Sequence, residues 1–219
     1  MEVFECIKSR RSVRKYERKD VPNELIGQII FAGTQAPSCG NMQPWEFIVV
    51  RDEKTKNEIS QVALRQEHIE DAPVLIVVCA NPEKSGDRYD DRGRNLYCIQ
   101  DTAAAIENML LMANSLGLGT CWIGAFDEGR VKTILNIPER LRPVAILTLG
   151  FPVPYEKSGK KIRMPFENIT WVDKYGEDFS WIEKYGEEWK YRIRPLEKHV
   201  KKLKEKLALR KKINKDLSK

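Results

Sequence analysis

The stretch Pro73-Val74-Leu75-Ile76-Val77-Val78-Cys79 decides the fold class of this 219-residue chain. It is a continuous apolar run, which predicts a strand that is covered on both faces. Further strands are predicted at 46–51, 120–123 and 142–149. Helical patterns lie around them at 2–9, from Asn23 onward, and at 53–66, 96–116 and 127–136. A chain of this length buries one substantial core, so we predict a single α/β or α+β domain around a largely buried helix at 96–116.

The composition is that of an ordinary globular protein. A hydrophobic content of 42% with 9% aromatic residues excludes wholesale disorder. No stretch approaches twenty uninterrupted apolar residues, and the first residues lack the pattern of a signal peptide. These features predict a cytoplasmic protein that does not enter a membrane. The five cysteines include no CxxC pair, which predicts free thiols, and with only His68 and His199 no metal site is expected.

Positive charge is concentrated at the end of the chain. Residues 192–219 carry twelve Lys and Arg against three acids, whereas the residues before them carry 26 basic and 29 acidic groups. We therefore divide the chain into a domain at 1–170 and an extension at 171–219. The extension opens with a repeat, because Trp171–Phe179 is echoed by Trp181–Trp189. Apolar residues at helical spacing in the basic segment favour an arm packed on a partner subunit over a segment that binds nucleic acid.

Three polar clusters carry the candidate chemistry. They are Arg10, Arg11, Ser12 and Arg14; then Pro37, Ser38, Cys39 and Asn41; and finally Lys161 and Arg163. Guanidinium groups and hydroxyls hold anions through paired hydrogen bonds. Each cluster alone also fits a plainer structure, namely a basic helix end, a turn before a strand or an exposed basic loop. Together the clusters suggest a phosphorylated cofactor.

The order of these motifs resembles that of the nitroreductase-like, FMN-dependent oxidoreductases. The resemblance rests on Arg10-Arg11-Ser12-x-Arg14, on Ala36-Pro37-Ser38-x-x-Asn41-x-Gln43-Pro44-Trp45-x-Phe47, on the Ala-rich central helix, on Gly117-Leu-Gly119-Thr-Cys-Trp122-Ile123-Gly124-Ala125-Phe126 and on Lys161-x-Arg163-x-Pro165. It covers about residues 1–170 of the chain. It implies an α+β fold with a central mixed or antiparallel sheet flanked by helices, in a domain-swapped homodimer with an extended C-terminal arm and two FMN sites at the interface.

The resemblance also implies a role for each cluster. Arg10, Arg11, Ser12 and Arg14 would hold the flavin phosphate, the ribityl chain and the pyrimidine edge, while Pro37, Ser38, Cys39 and Asn41 would reach the flavin from the other subunit. The backbone amides of Gly124 and Ala125 would face the N5 side of the ring, Arg65 would donate to the flavin or its ribityl chain, and Lys161 and Arg163 would close the phosphate site. This donor set suits a cofactor phosphate that carries nearly two negative charges.

The activity implied by the resemblance is NAD(P)H-dependent reduction of a nitro, quinone or flavin acceptor by ping-pong hydride transfer through bound FMN. The acceptor would be a small molecule, and the polar segment 81–97 would act as a mobile lid that gates it. No side chain stands out as a general acid or base. A reductive dehalogenase of the same scaffold fits the motifs equally well. A non-enzymatic module that binds flavin or nucleic acid is a further alternative.

Overall fold

A computed structural model of the chain describes residues 1–154, 162–164 and 166–177. The helices are α1 (Val3–Ser9), α2 (Asn23–Thr34), α3 (Glu53–Val62), α4 (Glu67–Asp71), α5 (Pro82–Arg92), α6 (Cys98–Ser115) and α7 (Glu128–Leu135), and the strands are β1 (Trp45–Val50), β2 (Val74–Ala80), β3 (Gly119–Ile123) and β4 (Arg142–Gly150). Every predicted strand is present within two residues of its expected bounds. The mixture of helices with one sheet confirms the α+β class.

The four strands form one antiparallel sheet in the order β1-β2-β4-β3. Its register pairs Trp45 with Ala80 between β1 and β2, and Gly119 with Gly150 between β3 and β4. Strand β2 therefore lies in the interior of the sheet and β3 lies at one edge. All seven residues of β2 are buried, which confirms the prediction from its continuous apolar run.

Helices cover both faces of the sheet. Side chains alternate along a strand, so Val74, Ile76 and Val78 of β2 pack in one core cluster, while Leu75 and Val77 pack in another. The first cluster includes residues of α2 and α6, and the second includes residues of α3, α4 and α7. Helix α6 is the long, largely buried helix that the sequence predicted. It extends from the loop before β1 to the residues beside α1, and it positions both halves of the candidate site.

Two predictions about local structure are wrong. The helix predicted at 53–66 ends at Val62, because Leu64 and Arg65 adopt left-handed backbone angles (φ 60° and 52°), and a separate α4 follows. No regular element is predicted at 81–94, yet this segment is largely helix α5, which starts at Pro82 after an Asn81 side chain that accepts a hydrogen bond from the Lys84 N–H. A proline in the first turn and an asparagine cap are both favourable for a helix start, so capping outweighs the polar composition.

The chain divides into two units, Met1–Tyr155 and Glu156–Lys219. In the second unit, the ring of Trp171 lies 5.2 Å from that of Tyr175, centroid to centroid. The domain boundary expected at residue 170 stays a prediction. The second copy of the repeat and the basic segment 192–219 lie outside the described residues, and so does the predicted basic arm.

Candidate functional site

The arginine-rich segment that follows α1 runs beside the edge strand β3. Ser12 forms a parallel bridge with Thr120, and the Val13 N–H donates to the Thr120 carbonyl at 2.8 Å. Gly119 makes this approach feasible, because a Cβ at that position would lie 2.7–2.9 Å from the Val13 side chain. Beyond the segment, Tyr16 bridges Pro152 next to the end of β4. The cluster is thus attached to the sheet and is not the frayed end of a helix.

Helix α1 is held on α6, and this contact sets where the segment begins. The Asn114 side chain donates to the Cys6 carbonyl at 3.1 Å and to the Ser9 hydroxyl at 2.9 Å. Half-buried Arg10 pairs with Glu107 of α6, with 3.5 Å between Nε and Oε1. A cavity of about 240 Å³ opens beside these residues and is lined by both Arg10 and Arg11. The positively charged side chains of Arg10 and Arg11 therefore border a concave surface at the β3 edge.

Ser12 and Arg14 lie at the thiol of Cys121 in β3. Burial raises the pKa of the Cys121 thiol, while Arg14 and a hydrogen bond with Ser12 act in the opposite direction. Arg14 also faces α4, since burial and then the Arg14 guanidinium lower the pKa of His68. The side chain of Arg14 is itself exposed, which leaves its donors accessible to an anion.

Tyr16 fixes the far end of the segment from inside the core. Its hydroxyl lies 2.5 Å from the Val13 carbonyl and 2.5 Å from the Thr148 hydroxyl, which also accepts the Cys121 N–H at 3.1 Å. Burial raises the pKa of Tyr16, so the phenol stays protonated and donates. This network ties the segment to β3 and β4 together.

Gly124 and Ala125 follow β3 directly and are exposed, and a Cβ added to Gly124 would meet open space. The Asp127 N–H donates to the Val62 carbonyl at 2.9 Å, which joins this stretch to the turn that carries Arg65. The structure thus brings the first cluster, the exposed residues Gly124 and Ala125 and the α3–α4 turn to one edge of the sheet. Arg65 is exposed on that turn, and no contact between its side chain and the cluster is seen among the described residues.

The second cluster lies elsewhere in the same copy. Pro37, Ser38, Cys39 and Asn41 belong to the loop that leads into β1, which is the edge strand opposite β3. This loop contacts the first turn of α6, where Asp101 accepts the Cys39 N–H at 3.0 Å. Asp101 and Asn114 are separated by about 20 Å along the helix axis at 1.5 Å per residue. The two clusters therefore sit at opposite sheet edges, spaced by α6.

The third cluster lies in the second unit and is described only in part. Lys161 lies outside the described residues. Arg163 is exposed in the second unit, where its guanidinium donates to the Ile162 carbonyl at 3.1 Å. Its predicted role at a phosphate stays a prediction.

A larger cavity of about 770 Å³ is lined by the residues that directly follow the first cluster, from Lys15 to Asp20, and by none of the cluster residues themselves. Its lining carries both signs of charge in equal number, with Lys15, Arg18, Lys19, Arg51 and Lys56 facing Glu17, Asp20, Glu53, Glu70 and Asp71. A phosphate is better held by an excess of donors, which this cavity lacks. The smaller cavity beside Arg10 and Arg11 has the more suitable chemistry.

Sequence reasoning missed three residues that position the site. Glu107 and Asn114 hold the end of α1, and Asp101 holds the loop before β1. The one signal available in the sequence is that these polar residues interrupt the buried stripe of an otherwise apolar helix. That signal does not identify their partners, which lie 62 to 108 positions away in the chain.

The Nitroreductase family description matches residues 7–67 and 60–151 of the chain. The chain belongs to the nitroreductase family.

Relatives with assigned names agree with this membership. A protein of Methanothermobacter thermautotrophicus named for NADH dehydrogenase and NAD(P)H nitroreductase is 40% identical over 156 residues, which is 69% of this chain and 78% of that protein. An NADH dehydrogenase of Thermus thermophilus is 32% identical, covering 74% and 91% of the two chains. An FMN reductase of Bacillus subtilis that uses NAD(P)H is 31% identical, covering 80% and 74%.

Solved structures show the same fold. A nitroreductase family protein of Clostridium novyi superposes with a TM-score of 0.65 at 36% identity, covering 82% of this chain and 97% of that one. NfrA2 of B. megaterium superposes with a TM-score of 0.73 at 28% identity, covering 89% and 85%.

Two further properties concern the described part of the chain alone. None of its helices combines the length and the apolar character that crossing a bilayer requires. Among those residues, no three His, Cys, Asp or Glu side chains come together as ligands for a metal ion. All five cysteines are free thiols, and Cys39 is the one that is not buried.

Proposed function

We propose that this protein is an NAD(P)H-dependent FMN oxidoreductase that reduces a small nitro, quinone or flavin-type acceptor. The observation that carries the proposal is the attachment of the Arg10–Arg14 segment to the edge of the sheet, beside a cavity lined by Arg10 and Arg11. The names of relatives that are FMN reductases or NAD(P)H oxidoreductases support the same activity.

The residues at this edge fit a flavin mononucleotide. Guanidinium groups and a hydroxyl bind a phosphate dianion through charge-assisted hydrogen bonds. The close contact between Val13 and Gly119 keeps the backbone of these residues in place. Gly124 and Ala125 are exposed in the stretch that follows β3, where their backbone amides would face the polar edge of the ring. When bound, FMN supplies the ability to take a hydride from a nicotinamide and to pass electrons to a second substrate. The protein contributes orientation and a fixed set of donors.

A complete site requires a second copy of the chain. The loop with Ser38, Cys39 and Asn41 lies at the β1 edge, on the far side of the sheet from the arginines. In a homodimer, the loop of one subunit would meet the arginine segment of its partner. Exposed apolar side chains on α1 and α2 support such an interface, since Val3 is 72% exposed, Ile7 50% and Phe31 66%.

The segment 81–97 is suited to contact the acceptor. Arg88 donates to the Gly40 carbonyl at 3.1 Å, and the Tyr89 hydroxyl lies against Gly40. Both side chains therefore sit beside the loop that would reach the flavin. Exchange of residues 81–97 for those of a relative is expected to change acceptor preference more than FMN affinity. A change confined to FMN affinity would contradict a gating role.

The test begins with the full-length protein purified with FMN. We expect a yellow protein whose flavin absorbance bleaches under anaerobic conditions on addition of NADH or NADPH, and recovers when a nitro compound or quinone is added. A colourless protein that does not bind added FMN would refute the proposal.

A matched pair of variants locates the cofactor. Arg14→Gln removes one exposed guanidinium beside Cys121, so FMN binding is expected to weaken by about tenfold or more. Arg18→Gln removes an equally exposed guanidinium four residues further along, at the mixed-charge cavity, and should leave the dissociation constant unchanged. Equal losses in the two variants would point to a general charge effect and away from a site at the β3 edge.

A further inference from the structure

We infer that Asp101 is a positioning residue that holds the turn at Cys39–Asn41 in the conformation needed to reach the cofactor. The expected effect on FMN binding rests on the proposed function, whereas the contacts of Asp101 lie within a single copy of the chain. The family comparison does not point to this residue, and neither did the sequence.

Asp101 is a buried carboxyl with a single hydrogen bond among the described residues. Its side chain lies in the first turn of α6, and the residue is only 6% exposed. Oδ1 accepts the Cys39 N–H at 3.0 Å, and Oδ2 is buried without a hydrogen-bond partner in the described structure. Burial of a carboxyl group costs free energy unless the group is hydrogen-bonded. The bond from the Cys39 N–H is the interaction that offsets this cost for Asp101.

The turn that Asp101 holds is unfavourable on its own. Gly40, Asn41 and Gln43 all have left-handed backbone angles, with φ of 56°, 60° and 49°. Glycine and asparagine tolerate this conformation, whereas glutamine rarely adopts it, so Gln43 depends on its surroundings. Within the turn, the Ser38 hydroxyl accepts the Gln43 N–H at 3.0 Å, but both of these residues are at least partly exposed. The bond to Asp101 is partly buried, because the carboxyl that accepts it is buried.

Helix α6 provides both the anchor and the support for the ends of the loop. Ala36 before the turn and Trp45 after it pack with Ala105 in a small core cluster. Ala105 is four residues beyond Asp101, so the two share a face of the helix. One face of α6 thus fixes the entry, the exit and the middle of the loop. The same helix holds the arginine segment further along through Glu107 and Asn114.

Two variants separate the acceptor oxygen from the charge. Asp101→Leu keeps the apolar stem but removes both oxygens, and Asp101→Asn keeps an amide oxygen that can still accept the Cys39 N–H. Asp52→Leu is the control, because Asp52 also accepts a backbone N–H, that of Thr55 at 2.8 Å, but caps α3 away from the loop. The full-length protein is used throughout, and FMN affinity is measured by flavin fluorescence.

The amide exchange rate of Cys39, relative to that of Val77 in β2, provides a readout that does not need the cofactor. We expect Asp101→Leu to weaken FMN binding by about tenfold or more and to speed exchange at Cys39 while Val77 keeps its protection. Asp101→Asn is expected to stay within about threefold of the wild type. Asp52→Leu should lower stability and leave both FMN affinity and Cys39 exchange unchanged.

The inference is overturned if Asp101→Leu matches the wild type in Cys39 exchange, or if Asp101→Asn is impaired as strongly as the Leu variant. Should the Leu variant fail to fold, Asp101→Ala removes the oxygens without placing a larger apolar group in the site. If the wild-type protein binds no FMN, the proposed function fails, and exchange at Cys39 still decides the role of Asp101.

Discussion

Substitution of Gly119 by alanine tests whether the close approach of the arginine segment to β3 is what holds that segment in place. An alanine Cβ would lie 2.7 Å from Cγ1, 2.8 Å from Cβ and 2.9 Å from Cγ2 of Val13. Cβ atoms do not pack this closely, and Val13 cannot rotate its own Cβ away. The segment must therefore move from the strand, which strains the 2.8 Å bond between the Val13 N–H and the Thr120 carbonyl.

The change in the free energy of unfolding caused by Gly119→Ala follows from the cost of overpacking. Adding a methyl group to a tight contact costs about 1–3 kcal/mol, and replacing a strand glycine returns about 0.5–1 kcal/mol of backbone entropy. We expect a net loss of roughly 1–2 kcal/mol in the free energy of unfolding. With a urea m-value of about 2 kcal/mol/M, the midpoint should fall by roughly 0.5–1 M. FMN affinity should fall as well, since Arg11 and Arg14 flank Val13.

Gly27→Ala is the matched control in the same urea experiment. Gly27 lies in the exposed face of α2, and a Cβ there would meet nothing within 4 Å. The control should gain about 0.5–1 kcal/mol, because alanine is the better helix former. Adding Val13→Ala to Gly119→Ala removes two of the three close atoms and should recover part of the loss. The reasoning is refuted if Gly119→Ala is as stable as Gly27→Ala, or if Val13→Ala adds its effect independently.

Two further predictions concern stability and pH. Lys56→Met should lower the free energy of unfolding by about 1–3 kcal/mol in urea titrations. The Lys56 side chain is 2% exposed and its Nζ donates to the Ala72 carbonyl at 2.8 Å, so the Met side chain leaves that oxygen without this donor. Lys54→Met, on the same helix and 86% exposed at its side chain, should change it by less than about 0.5 kcal/mol, and equal effects would contradict the argument. Glu128→Gln should lower stability at pH 7 by less than about 1 kcal/mol, because the Glu128–Arg142 pair is close to half exposed and screened. The hydrogen bond to Arg142 lowers the pKa of Glu128 below its ordinary 4.5. The wild type should therefore be more stable than Glu128→Gln above that pH, and the difference should disappear as the pH falls through the folded-state pKa. A difference in stability that persists in acid would exclude this cause.

Local patterns predicted most of the secondary structure, and the failures have physical causes. The apolar run of β2 was sufficient because burial on both faces leaves no polar positions, and the partly buried β1 was recognised from its apolar residues Phe47–Val50. The segment at 81–94 was misread because its composition is polar throughout, although Asn81 and Pro82 carried a helix-start signal that composition obscured. The break between α3 and α4 had no such signal. Leu64 and Arg65 are exposed and have left-handed backbone angles that neither residue favours, and the Arg65 N–H donates to the Ser60 carbonyl at 2.9 Å at the end of α3.

The sequence by itself determined the class of the fold, the order of the motifs and the cationic chemistry of residues 10–14, because these depend on side-chain type and spacing along the chain. Tertiary structure alone decided that this segment runs along β3 and that the Ser38–Asn41 loop lies at the opposite edge. It also decided that α6 holds both, through Asp101 at one end and Asn114 at the other. The reason is that these contacts join residues 62 to 108 positions apart, and whether such residues meet depends on how the helices and the sheet pack.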